Sequence, residues 1–542
     1  MRTILLATTM LSLAVAPGAA AQGAVEPEDT AGVPLYRNLG SHGYGVMTQD
    51  ALAQQYFDQG LRLFYGFNHG EAVRAFLEGE RIDSSCAMCA WGAALALGPN
   101  INAGMEPEAG RVAYAAVRRA LARADRVPPR ERALIQALAE RYAADPGAPR
   151  AALDSAYADA MTGVAARFPN DTEVQVLHAD ALMNLSPWNY WTAAGEPRPA
   201  TPLILERLER ALAANADHPG ACHLFIHAVE ASDPARAVPC AERLAALMPG
   251  AGHIVHMPGH IYVRVGRYLE AMEANRHALH ADESYLEGPA ASRRGIYAQG
   301  YYPHNHHFLS FAASMAGVSA TAIDAARQTA RTVGPELARS TPWLENVTPV
   351  VFTTLVTFGR WNDVLAEPLP PADLRYATGM AYYARGVAFA AKRRWAEAQA
   401  SLDTVRAIAG SFPAGDNQTA LRIAVEALNG EIALGRGRLP AAISAFRAAV
   451  ALEDGIAYTE PPTWYYPMRH SLGKALLAAK RPLEAQQVYE EDLVRFPENG
   501  WSLRGLVLAL EAQRKVGAAR VARERLQRAW AGADVELVGS RF

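Results

Sequence analysis

The chain has 542 residues, half of them hydrophobic, and a formal net charge of −3. That apolar content excludes a disordered chain, and the length exceeds one compact core, so several domains or one extended array are expected. With no basic excess and no polybasic run, neither nucleic acid nor a charged membrane surface is indicated as a partner.

The N-terminus has the build of a secretory signal over residues 1–21. Arg2 supplies the positive end, residues 4–16 form an apolar run too short to span a bilayer, and Ala19 and Ala21 fit a small-residue cleavage site. Cleavage after Ala21 would place the mature chain in a periplasm or outside the cell. No later stretch is long and apolar enough for a transmembrane helix. Residues 22–50 are polar and Gly-rich, an irregular lead-in. In an oxidising compartment the four cysteines matter. Cys86-Ala-Met-Cys89 has no His after it, which removes haem attachment and leaves a local disulfide or buried thiols. Cys222 and Cys240 fall on the two helices of one expected hairpin, where a bridge is feasible.

From residue 51 onward small and large apolar residues recur with a period of about 34. Gly60, Leu63, Ala72 and Phe76 open the series. Phe225, Ala228, Ala237 and Leu244, then Gly259, Tyr262, Ala271 and Ala278, then Ala322 and Ala326 carry it through the middle. Gly386, Phe389, Ala398 and Leu402 follow, then Gly430, Ala442 and Phe446, then Leu472, Gly473, Ala485, Tyr489 and Pro497. This is tetratricopeptide spacing: small residues let two antiparallel helices approach, and proline ends the second. The expected fold is all-α, a tetratricopeptide-like α-solenoid forming a right-handed superhelix of antiparallel helix pairs. An N-terminal array over 51–364 and a C-terminal array over 373–542 would flank a Pro-rich linker at 365–372. Segments 184–203 and 284–303 interrupt the period with Trp, Tyr, Pro and Gly, and such insertions map to loops on one face.

Histidines gather where this frame turns inward. In tetratricopeptide repeats, positions 2, 5, 9, 12 and 13 of the first helix line the concave surface. Anchoring on Ala271 puts His253, His256 and His260 at 2, 5 and 9; anchoring on Ala322 puts His304 and His307 at 2 and 5. In the preceding copy His223, His227 and Glu230 form a stripe at the edge of that surface. Residues four apart share a helix face, so His223 with His227, and His256 with His260, can each offer two ring nitrogens to one ion. The candidate metal ligands are therefore His223, His227, His256, His260, His304 and His307. Glu230 is a third ligand, an orienting partner or a general base. Imidazole suits zinc, copper and iron, and the sequence does not choose among them. Pro258 would kink the helix and shift the second pair if it lies in the helix interior. His69 reads as a helix-start residue, and His178 and Asp180 as core or capping groups. His42, His218, His277, His280 and His470 read as surface or helix residues without a site. The stretch Glu460-Pro-Pro-Thr-Trp464 is either a loop that closes on something or one that packs between repeats.

The chain resembles exported bacterial tetratricopeptide-repeat proteins that carry a set of recurrent strings. Here these are Phe67-Asn-His69, Cys89-Ala-Trp-Gly92, Gly98-Pro-Asn100, His223-Leu-Phe-Ile-His227-Ala-Val-Glu230, His256-Met-Pro-Gly-His260, Tyr302-Pro-His304-Asn-His-His307 and Glu460-Pro-Pro-Thr-Trp464. The resemblance implies the fold and a common site, and supplies no reaction. Two readings stand. One is a metal-binding protein whose ion, with an open coordination position, activates water or dioxygen. The other is a non-catalytic scaffold holding a peptide or partner protein in its concave groove.

Overall fold

A computed structural model describes residues 32–105, 107–145, 147–288, 291 and 295–542. The expected leader over 1–21 lies outside the described residues. Among those described, the regular elements are helices, joined by short turns and two isolated β-bridges. The fold is an all-α, tetratricopeptide-like solenoid.

Its hairpins close in one way. Ala51–Tyr65 pairs with His69–Ile82, Arg375–Ala391 with Trp395–Gly410, and Met468–Ala478 with Pro482–Arg495. Each turn holds one residue in the left-handed region: Phe67 (φ 54°), Arg393 (φ 58°) and Lys480 (φ 57°). The next N–H then returns to a carbonyl five residues back, as in Arg394 to Phe389 at 2.8 Å and Arg481 to Leu476 at 2.9 Å. This bond satisfies an orphan helix-end carbonyl and turns the chain sharply.

In three hairpins the pairing rests on a glycine facing an aromatic ring. A Cβ on Gly60 would lie 2.7 Å from Phe76, one on Gly430 2.4 Å from Phe446, and one on Gly473 2.3 Å from Tyr489. The offset along the chain is the same each time. In the middle copy Gly259 instead meets Asn275, at 2.8 Å.

The end of the chain folds back on the middle. Trp501 Nε1 donates to the Ser314 carbonyl at 3.0 Å, and Asp534 accepts from the N–H groups of Ser319 and Ala320 at 2.7 and 2.9 Å. The return brings the 456–467 loop beside the middle repeats, where the Arg264 guanidinium lies 5.3 Å from the Tyr458 ring.

Two cysteine expectations separate here. Cys86 and Cys89 form the local disulfide. Cys222 and Cys240 are both buried free thiols, so the second bridge is absent. No helix among the described residues is long and apolar enough to cross a membrane.

Candidate metal centre

The helix Pro219–Val229 starts on proline, and the His218 ring caps it by accepting the Ala221 N–H at 3.2 Å. Four-residue spacing then stacks His223 over His227, with their Nε2 atoms 3.1 Å apart. His223 Nδ1 sits 2.6 Å from the carbonyl oxygen of Tyr65. A carbonyl only accepts, so Nδ1 carries the proton and Nε2 presents a bare lone pair. His227 Nδ1 likewise donates to Glu230 Oε1 at 2.9 Å.

The next copy supplies the second pair. Its helix breaks at Met257, between Gly252–His256 and Pro258–Arg264, as the proline requires. Met257 nevertheless keeps helical angles, so His256 and His260 still meet, with Nε2 atoms 2.7 Å apart. His256 Nδ1 donates to the Asn275 side-chain oxygen at 2.8 Å; the Asn275 amide is oriented by its own bond to the Ala271 carbonyl, also 2.8 Å. His260 Nδ1 donates to Glu230 Oε2 at 2.5 Å. His304, from the helix Tyr302–Ala316, brings its Nε2 to 3.1 Å from that of His256.

His253 completes the set. It lies 5.0 Å from the His223 ring, is 2 % exposed, and neither ring nitrogen has a hydrogen-bond partner. Orphaned buried ring nitrogens are costly unless something coordinates them. Two trios result: His223, His227 and His253, and His256, His260 and His304, with ligating atoms in each within 4.8 Å of one another. An ion bonded at about 2.0–2.1 Å to tetrahedrally arranged nitrogens holds them about 3.4 Å apart, somewhat wider than the 3.1, 2.7 and 3.1 Å between neighbouring Nε2 atoms here. Glu230 is fully buried and joins the trios, one oxygen to each. His307 is half-buried and belongs to neither trio.

Electrostatics keeps most of these rings neutral. Burial, reinforced by neighbouring imidazoles, holds His223, His253, His256 and His304 well below the ordinary histidine value of 6.5. Burial also lowers His227, against the pull of Glu230. Burial opposes ionisation of Glu230, but His260 and His227 outweigh it and hold the carboxyl down at about 2. The same carboxylate raises His260 in spite of burial. A proton on His260 therefore relieves its lone pair facing His256 Nε2, 2.7 Å away. In the metal-free protein, NMR titration should show the His223, His256 and His304 rings protonating below pH 6.5 and His260 above it. His260 titrating at or below the other three would contradict this network.

Aromatic side chains wall the centre. Phe67 packs 4.4 Å from His223, Phe308 4.9 Å from His256, and Tyr301 4.5 Å from His253. Both insertions reach it. Trp188 from the first stands edge-on to His227 at 5.0 Å, and is 39 % exposed. Its Nε1 donates to Asn102, whose amide donates to the Tyr301 hydroxyl at 3.3 Å.

Several histidines read as siteless are partly or fully buried beside carboxylates. His42 and His218 place Nε2 at 3.2 and 3.3 Å from Glu173, whose other oxygen accepts the Tyr65 hydroxyl. His218 Nδ1 accepts a backbone N–H, so its proton sits on Nε2, where an ion would have to bind. In this second cluster His42 and Tyr65 hydrogen-bond Glu173, while His218 Nε2 only lies near the carboxylate; the contacts tie the lead-in to the helix Thr172–Met183 and, through Tyr65, back His223. His470 is buried against Asp492 at 3.1 Å. His277 and His280 are exposed, as expected, and His69 starts its helix. His178 is buried with its Nε2 3.0 Å from Thr162.

No family model matches the chain, and no curated protein matches it. Among solved structures, the human IFIT1 dimer with m7Gppp-AAAA aligns over 93% of this chain and 94% of its own, at 12% identity and a TM-score of 0.30. The human IFIT1 dimer with PPP-AAAA aligns over 89% and 91%, at 12% identity and 0.35. The P58(IPK) TPR domain aligns over 86% of this chain and 99% of its own, at 9% identity and 0.20. Likeness at this level carries no argument about function, and the fold assignment rests on the helices themselves.

Proposed function

We propose that the protein is an exported metal-binding solenoid, with His223, His227 and His253 holding one transition-metal ion and His256, His260 and His304 a second. Glu230 orients His227 and His260 from behind. With both its oxygens occupied by ring N–H groups, the orienting role fits it better than that of a base. Zinc, copper and iron all accept imidazole, and three ligands per ion leave room for water or dioxygen. One observation carries the reading: Nε2 atoms of His223, His227, His256, His260 and His304 converge beside the unpartnered His253 ring, while Tyr65, Glu230 and Asn275 hold Nδ1 of His223, His227, His256 and His260. The peptide-groove alternative has less support, because His223, His227, His253, His256 and His260 are at most 3 % exposed and offer a peptide little surface.

Elemental analysis of protein purified from defined medium, before and after loading with zinc, copper and iron, tests the proposal. About two ions per chain are expected at saturation. Less than about 0.2 ion per chain after every loading would reject it, since multi-histidine sites do not lose their ion at neutral pH.

A further inference from the structure

We propose that the two trios hold a coupled pair of copper ions that binds dioxygen between them. This rests on the metal-binding reading above and adds the identity of the metal and of its small-molecule ligand.

Charge argues for the metal. Each trio offers three imidazoles and no anionic ligand. The nearest carboxylate, Glu230, already spends both oxygens on the Nδ1 protons of His227 and His260. Burying ionic charge is costly unless it is compensated, and the cost climbs steeply with charge. Two divalent ions would bring four positive charges against two carboxyl groups, Glu230 and Glu460, the latter acting on His260 and keeping a buried unpartnered oxygen. Two cuprous ions bring only two. Three neutral nitrogens also suit the low coordination number of a cuprous ion.

Proximity argues for coupling. The trios share more than Glu230. Ring centroids of His227 and His260 lie 5.4 Å apart, and those of His253 and His256 lie 5.8 Å apart. Ions held by these rings would face one another closely enough to touch the same small molecule.

The walls argue for the ligand. Phe67, Phe308 and Tyr301 surround the rings. Among the described residues no Lys or Arg side chain hydrogen-bonds the six histidines; on this side Arg264 donates to the Glu230 carbonyl, at 3.2 Å. Such a lining gives an anionic substrate no counter-charge, and it admits a small apolar diatomic. The electrons balance without a further reagent. Each cuprous ion gives up one electron, dioxygen takes the two, its O–O bond falls from double to single, and no proton is consumed. Two cupric ions and peroxide result, and the reverse transfer releases dioxygen.

The test loads the full chain with cuprous ion without oxygen, removes the excess, and then admits oxygen. The expected product contains about two copper ions per chain. It gains a near-ultraviolet charge-transfer band and shows no cupric EPR signal until acid releases the ions, when the signal appears in full. His253→Ala and His304→Ala should each halve the copper content and give an EPR-visible cupric ion on oxidation. Copper that is EPR-visible in full in the unaltered protein would overturn the coupled pair. Retention of zinc or iron with exclusion of copper would overturn the choice of metal. Failure to bind any of the three ions is a separate outcome that defeats the metal reading itself.

Discussion

Glu230→Gln is expected to weaken metal binding about 10–100-fold, the usual cost of losing a partner that orients a ligand. The reason lies in hydrogen-bond polarity. The carboxylate accepts from two Nδ1–H groups, His227 at 2.9 Å and His260 at 2.5 Å. An amide of the same shape has one acceptor and one donor. One of the two rings must then move its proton to Nε2, the nitrogen that should bind the ion, or turn away. The substitution also removes the carboxylate that joins both trios, so whichever trio keeps its geometry loses charge compensation. Competition with a chelator of known affinity measures the effect. An affinity equal to that of the unaltered protein would show that Glu230 does not orient the ligands.

The second large effect is expected from Gly252→Ala. Gly252 is the first residue of the short helix Gly252–His256, which carries His253 and His256. A Cβ there would fall 1.9 Å from Asp282 Oδ1. Asp282 has no free space to yield, because it is buried and accepts from the Tyr297 hydroxyl and the Asn305 amide, both at 2.7 Å. Either the helix start moves or that hydrogen-bonded set breaks. Overpacking of this kind costs about 1–3 kcal/mol. Unlike an overpacked site elsewhere in the solenoid, it displaces ligands of both trios. The substitution should lower the thermal midpoint of the metal-free chain and reduce metal affinity together. An unchanged midpoint with unchanged affinity would mean that the helix start is slack.

Much of this architecture is legible in the chain itself. The glycine–aromatic pairs 60/76, 430/446 and 473/489 recur at one offset because two helices can approach closely only where one lacks a side chain. The same frame turns His253, His256, His260 and His304 toward one another, and helical spacing pairs His223 with His227. Asn275 is visible in the sequence as a polar residue inside the repeat. It stands at the offset where Phe76, Phe446 and Tyr489 stand in other copies, and a polar side chain at a packing position is the mark of a group needed to orient His256. Helical i,i+4 spacing gives His253 no histidine partner, because its partners His223 and His227 come from the preceding repeat. His307 falls at an inward repeat position beside His304, yet it is half-buried and stands in neither trio. The His42–Glu173–His218 anchor had no signal, since it depends on the path of an aperiodic lead-in across two distant helices. The return of Trp501 and Asp534 to the middle repeats is likewise a product of superhelical curvature, which no local pattern encodes.

The central claim is that imidazoles from three successive hairpins grip metal ions in two adjacent sets of three. An anomalous-difference map from crystals of metal-loaded protein, recorded at the absorption edge of the bound element, tests it most directly. Two peaks are expected, one bounded by the Nε2 atoms of His223 and His227 with the His253 ring, the other by those of His256, His260 and His304. No peak at either position, or a peak confined to His42, Glu173 and His218, would contradict the account.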